Sequence, residues 1–157
     1  MGMYGMIVPA TAEDVARLRA GDEAFEPFAG EGSASMEKMW HALHFLFTGT
    51  QYEIGSEPLS KAVLGGDAVG SAPGDVDVRY LVPDDVRAIA SAFAATSFDA
   101  VWKRFDPDQM TRTEIYPQVW DEDPAELRAE IGGCYDAIAA CYAEAAAAGK
   151  GMLLTIG

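Results

Sequence analysis

His41 and His44 are the only histidines in the chain, and they sit three residues apart within Trp40-His41-Ala42-Leu43-His44-Phe45-Leu46-Phe47-Thr48-Gly49-Thr50. Imidazole ordinarily titrates near neutrality, so it can take up and return a proton at physiological pH. The residues around the pair are almost all apolar. A polar ring in such a segment must find partners or line a cavity, because burying it alone is costly. On one helix, positions 37, 41, 44 and 48 fall within about 60° of one another at 100° per residue. Glu37, His41, His44 and Thr48 would then form a polar strip beside an apolar face of Met36, Met39, Trp40, Leu43, Leu46 and Phe47. A carboxylate one turn from a histidine sets its tautomer and raises its pKa. That arrangement suits general acid/base chemistry, with His44 moving the proton and Glu37 or Glu114 supporting it. It equally suits a ligand-binding rim formed by Trp40, His41, Thr48 and Tyr116. The plainer alternative is a helix flank whose imidazoles are satisfied and whose Thr48 bonds to main chain.

Glu114-Ile115-Tyr116-Pro117 is the second cluster. Pro117 biases Tyr116 to an extended conformation, which puts Glu114 and Tyr116 on one face. The pair would either reach into a cleft or leave Tyr116 covering the core. No metal site and no cofactor are expected. The chain has no HExxH, no CxxC pair and no EF-hand loop, and Gly65-Gly66 fits neither a Walker nor a dinucleotide pattern. Its serines lie in no nucleophile elbow. Thr48-Gly49-Thr50 reads as a helix stop, since a helix C-terminus is the wrong dipole end for an anion. Cys134 and Cys141, seven apart on one helix, stand about 10 Å apart along its axis. That is too far for a mutual disulfide, so they read as small core residues.

The elements that must position these residues follow from periodicity and punctuation. Met3 to Val8 is a short apolar run ahead of Pro9 and reads as a strand. Thr11 with Asp14 makes a capping box for a helix that buries Val15 and Leu18 and ends at Gly21. Residues 22–34 read as a loop. Ser35 caps the histidine helix, which runs to Thr48 and is apolar on more than one side, hence central. Residues 51–57 are a turn, 58–64 a short helix, and 66–75 a surface loop rich in Gly, Ala and Ser. Val76 to Val82 alternates as a strand. Pro83 opens a helix to Ala95, Ser97 caps a short one, and Asp106-Pro107 begins another turn or short helix. Asp123-Pro124 starts a long helix to Ala148 with Leu127, Ile131, Cys134, Ile138, Cys141 and Ala145 inward. Met152 to Ile156 is a last strand. The class is α+β: a small mixed sheet of about three strands packed with five or six helices, in a single domain over 1–157.

Size and charge narrow the function classes. A chain of 157 residues can bury roughly 70% of its unfolded surface. Half of its residues are hydrophobic, which argues against disorder. The net charge of −14 repels nucleic acid and anionic lipid, so neither is an expected partner. Lys103-Arg104 is the only adjacent pair of bases. No run of about 18 apolar residues exists, so no membrane span is expected, and the start lacks the pattern of a signal peptide. Cytoplasmic residence follows as the expectation.

Several blocks in order carry a family resemblance: Met1-Gly2-Met3-Tyr4-Gly5, Trp40 through Thr50, Pro58 through Gly66, Glu114-Ile115-Tyr116-Pro117 and Leu154-Thr155-Ile156-Gly157. Together they resemble the YfbM-like family, small bacterial proteins built around a domain of unknown function. The resemblance implies a single α+β domain and no particular activity, cofactor or partner. The residues themselves favour a small-ligand or protein-binding module with a cleft beside the 35–48 helix. A hydrolase or transferase using His44 is one alternative. An acidic immunity-type protein that blocks a basic partner is the other.

Overall fold

The computed structural model describes residues 2–157; Met1, the first residue of the opening block, lies outside them. In chain order the elements are β1 (Gly5–Ala10), α1 (Ala12–Arg19), β2 (Ala34–Glu37), α2 (Trp40–Thr48), a 3-10 turn (Pro58–Lys61), β3 (Asp67–Ala72), β4 (Val76–Leu81), α3 (Pro83–Ala95), α4 (Phe98–Trp102), α5 (Pro107–Arg112), α6 (Pro124–Ala147) and β5 (Gly151–Ile156). The strands form one sheet in the order β2-β1-β5-β4-β3, every neighbour antiparallel.

The α+β class holds, but the sheet has five strands instead of the expected three or so, and it is antiparallel throughout instead of mixed. Both extra strands are short of β-formers. β3 is Asp-Ala-Val-Gly-Ser-Ala, with only Val69 buried, and is held by pairing with β4 across the Pro73-Gly74-Asp75 turn. β2 takes the residues expected to open the histidine helix. Ser35 Oγ accepts from the Glu37 N–H at 3.0 Å instead of capping a helix, Glu37 adopts φ 49°, and α2 starts only at Trp40. Edge strands like these owe their shape to a neighbour's ladder more than to their own propensity.

Alternation along the strands fills two cores. Ile7, Leu81, Met152 and Leu154 face α2, α3 and α6, where the main core lies. Val8, Ala10, Val78 and Leu153 face the other way, toward Val15 and Leu18 of α1 and the rings of Phe25 and Phe28. The expected inward seam of α6 is buried from Leu127 through Ala145. The caps also fall as read: Thr11 accepts from Asp14 N while the Asp14 carboxylate receives the Thr11 N–H, and Asp123 caps α6.

Gly66, just ahead of β3, combines a left-handed backbone with a close main-chain approach. Its φ is +92°, and a Cβ there would lie 2.8 Å from the Tyr80 carbonyl oxygen. Gly66→Ala is expected to cost on the order of 2 kcal/mol, from a left-handed conformation plus a main-chain clash. Gly74, at φ +90° with nothing nearer than 4.0 Å, should cost less when replaced by Ala. Urea denaturation of the two variants checks the difference; equal midpoints would contradict it.

Candidate functional site

α2 is buried from Trp40 through Phe47 and ends where Gly49, at φ 73°, donates its N–H to the Phe45 carbonyl. Such a helix can carry polar groups only where partners come to it, and His41 is the fuller case. Its Nδ1 accepts the Tyr116 N–H at 2.9 Å and its Nε2 lies 2.9 Å from the Gln51 carbonyl, which requires the neutral ring with the proton on Nε2. Trp40 stacks on the imidazole at 4.8 Å, Tyr52 stacks on it at 5.0 Å, and Tyr116 continues from Trp40 at 5.7 Å. The opening segment is tied to the same stack, with Trp40 Nε1 donating to the Met3 carbonyl and the Met3 N–H donating to the Tyr116 hydroxyl. Burial lowers the His41 pKa, and the Gln51 carbonyl opposes that shift. Both ring nitrogens are therefore spent on main chain, leaving none for a ligand.

His44 is the opposite case. The ring is 0% exposed, and neither nitrogen has a hydrogen-bond partner. Burial pushes its pKa down to about 4; the Glu53 main chain works against the shift, while the nearby charges of His41 and Arg79 add to it. Arg79 sits behind it, donating to the Gly65 and Val63 carbonyls at 2.9 and 3.1 Å. The Tyr142 hydroxyl, also interior, donates to the Ala62 carbonyl at 2.7 Å.

The carboxylates expected to support His44 are elsewhere. Glu37 is exposed on β2, outside the helix, so the four-residue polar strip is reduced to His41, His44 and Thr48. Glu114 is exposed at φ 55°, and no hydrogen bond or ion pair among the described residues joins either acid to an imidazole. Thr48 is half-buried, donating to the His44 carbonyl at 2.9 Å and receiving the Thr50 N–H at 3.0 Å. Tyr116 is half-buried, with its ring in the stack. Glu37 does line a cleft of about 630 Å³ with Lys38, Glu122 and Glu130. Among the described residues, no three His, Cys, Asp or Glu side chains gather as metal ligands. Cys134 and Cys141 are buried free thiols whose pKa values burial raises to about 11 and about 12, so neither is a ready nucleophile.

A second concavity lies at the other end of α2. Leu46 and Phe47, the 3-10 turn, α3 and α4 enclose about 710 Å³, with Lys103 and Arg104 on its wall. Arg104 donates from Nη1 to the Leu46 carbonyl at 2.9 Å, closing the C-terminal end of α2 with a cation where the helix dipole favours one. Sequence reasoning had noted Lys103-Arg104 only as the single adjacent pair of bases. Their place beside Trp102 and Phe105, at the end of a short amphipathic helix, was the available signal.

A family profile described as "Domain of unknown function (DUF1877)" matches residues 1–155. The chain belongs to the DUF1877 family. A solved structure shares the fold: the crystal structure of a protein of unknown function, YfbM from Escherichia coli, superposes with a TM-score of 0.77. That match is 22% identical in sequence and covers 98% of this chain and 99% of that one, so it speaks for the fold alone. No curated protein matches. No helix among the described residues is long and apolar enough to cross a membrane.

Proposed function

We propose that this chain is a binding module for a small molecule, held in the cleft formed by the C-terminal half of α2, the 3-10 turn, α3 and α4. The observation that carries the reading is the cleft itself. Its volume of about 710 Å³ falls within the range of small-molecule sites, and it pairs apolar walls with a few polar groups. Pro58, Leu59, Ala92 and Ala100 supply apolar surface; Thr96, Lys103 and Arg104 supply polar groups that orient a ligand. The proton-transfer alternative has less support, because the His44 ring is sealed and neither Glu37 nor Glu114 touches it.

Ala100 lines the cleft and is exposed, so Ala100→Trp fills the space without disturbing the core. A thermal-shift screen against a library of common metabolites is expected to find compounds that raise the Tm of the wild type and leave Ala100→Trp unmoved. Binding at a hundredfold excess over Kd stabilises by about 2.7 kcal/mol, a shift of several degrees at this size. Compounds that stabilise both proteins equally would place the ligand elsewhere, and a screen without any stabilising compound would count against the reading.

A further inference from the structure

We infer that this cleft takes a small anion with an apolar body, a carboxylate or a phosphate ester whose charged end meets Lys103 and Arg104. The inference rests on the cleft being the binding site and adds the chemical class of its ligand.

The sign of charge sets this cleft apart. In a chain with 25 acids and 11 bases, most concavities should be acidic. Four others are. Glu37, Glu122 and Glu130 outnumber Lys38 beside β2, and Glu13, Asp14 and Asp22 outnumber Arg17 along α1. Asp22, Glu23 and Asp75 stand unopposed near the β3–β4 turn, and Glu26 is the lone charge of the fourth. Only the α2–α4 cleft among these five has bases in excess, with Lys103 and Arg104 against Glu57.

Those two cations are also unspent. Arg17, Lys61, Arg87 and Arg128 pair with Asp22, Asp85, Asp84 and Asp99. No ion pair among the described residues uses Lys103 or Arg104, and Glu57 shares the lining without closing one. Arg104 is held in place. Its hydrogen bond to the Leu46 carbonyl engages one of five guanidinium N–H groups, and its Cδ packs 3.5 Å from where a Cβ on Gly49 would be. A guanidinium already fixed by the end of α2 loses little further freedom on meeting an anion. Ala92, Ala100 and Thr96 line it with small side chains, and the half-buried Pro58 and Leu59 offer apolar surface. A polyanion is disfavoured, because the net charge of −14 repels it at long range, whereas a single charged group beside an apolar body meets only the local field.

Amide chemical shifts of the full chain test this with four probes: benzoate, phenyl phosphate, benzyl alcohol and inorganic phosphate. Benzoate or phenyl phosphate is expected to shift the amides of Leu46, Val101 and Lys103 and to bind about tenfold tighter than benzyl alcohol, the worth of one charge-assisted contact. The tighter of the two identifies the head group. Inorganic phosphate, lacking the body, should bind more weakly than phenyl phosphate. Lys103→Glu should erase the preference at unchanged Tm. If benzyl alcohol binds as tightly as the anions, the cleft reading stands and the anion is wrong. If inorganic phosphate matches phenyl phosphate, the apolar body is wrong. If Lys103→Glu leaves benzoate affinity unchanged, the assigned charge contact is wrong. If no probe moves these amides, the site and its ligand class fall together.

Discussion

Acidification from pH 7 to pH 4 is expected to remove about 3 kcal/mol of folding stability through the single side chain of His44. Its folded pKa is about 4, against 6.5 for the free ring, because the imidazole is fully enclosed and the Glu53 main chain only partly offsets that burial. Between those two values the unfolded chain holds a proton that the folded chain refuses. Stability therefore rises with pH across this window, is complete above 6.5, and is lost as the pH falls toward 4. His41, also shifted down by burial, adds in the same direction. His44→Leu has similar volume and breaks no hydrogen bond of the ring, only the favourable approach of the Glu53 main chain. It should leave stability at pH 7 nearly unchanged and flatten the acid limb. Urea unfolding at pH 7 and pH 4.5 measures both effects. Equal pH dependence in wild type and His44→Leu would disprove the linkage.

His41→Ala should do the reverse, costing about 3 kcal/mol at neutral pH. The Tyr116 N–H and the Gln51 carbonyl would each lose a partner, at about 1–3 kcal/mol for a buried group and less for one that water can reach. The stack of Tyr52, His41, Trp40 and Tyr116 would lose its second ring, adding roughly 1 kcal/mol. The loss has a local signature. Residues 50–57 are largely exposed, with Tyr52 at 59%, and His41 is one of the contacts holding them to α2. Limited proteolysis should cut this loop faster in His41→Ala than in His44→Leu. A variant with wild-type midpoint and wild-type cleavage rate would refute the role of His41 as a tie.

Two neighbouring imidazoles of the same helix thus do different things, and the sequence could not tell them apart. Spacing placed both on one flank, which is correct for 41, 44 and 48. Whether an imidazole on this flank gains hydrogen-bonded partners depends on where the 51–57 and 113–118 segments return, which is a tertiary fact. Apart from Ser35, which lies in β2, helix caps and seams are legible because their signals are local: Thr11 with Asp14, Asp123 with Pro124, and the four-three rhythm of α6. β2 and β3 were not, because Ala-Ser-Met-Glu and Asp-Ala-Val-Gly-Ser-Ala become strands through partners far along the chain. The basic cleft was half legible. Lys103-Arg104 stood out as a pair, but its union with Leu46 and Phe47 required α4 to cross the end of α2.

The middle strand of the sheet is the last of the five to be synthesised. β5 lies between β1 and β4, so Gly5 opposite Ile156 and Val78 opposite Thr155 can pair only after residues through Ile156 have left the ribosome tunnel. Until then β1–β2 and β3–β4 are two separate antiparallel pairs with an open seam between them, each presenting an unpaired edge. Such edges template pairing with other chains, and contacts this distant in sequence slow folding through loop-closure entropy. The architecture therefore concentrates the aggregation hazard of this protein into the interval before six residues, Gly151–Ile156, close the sheet.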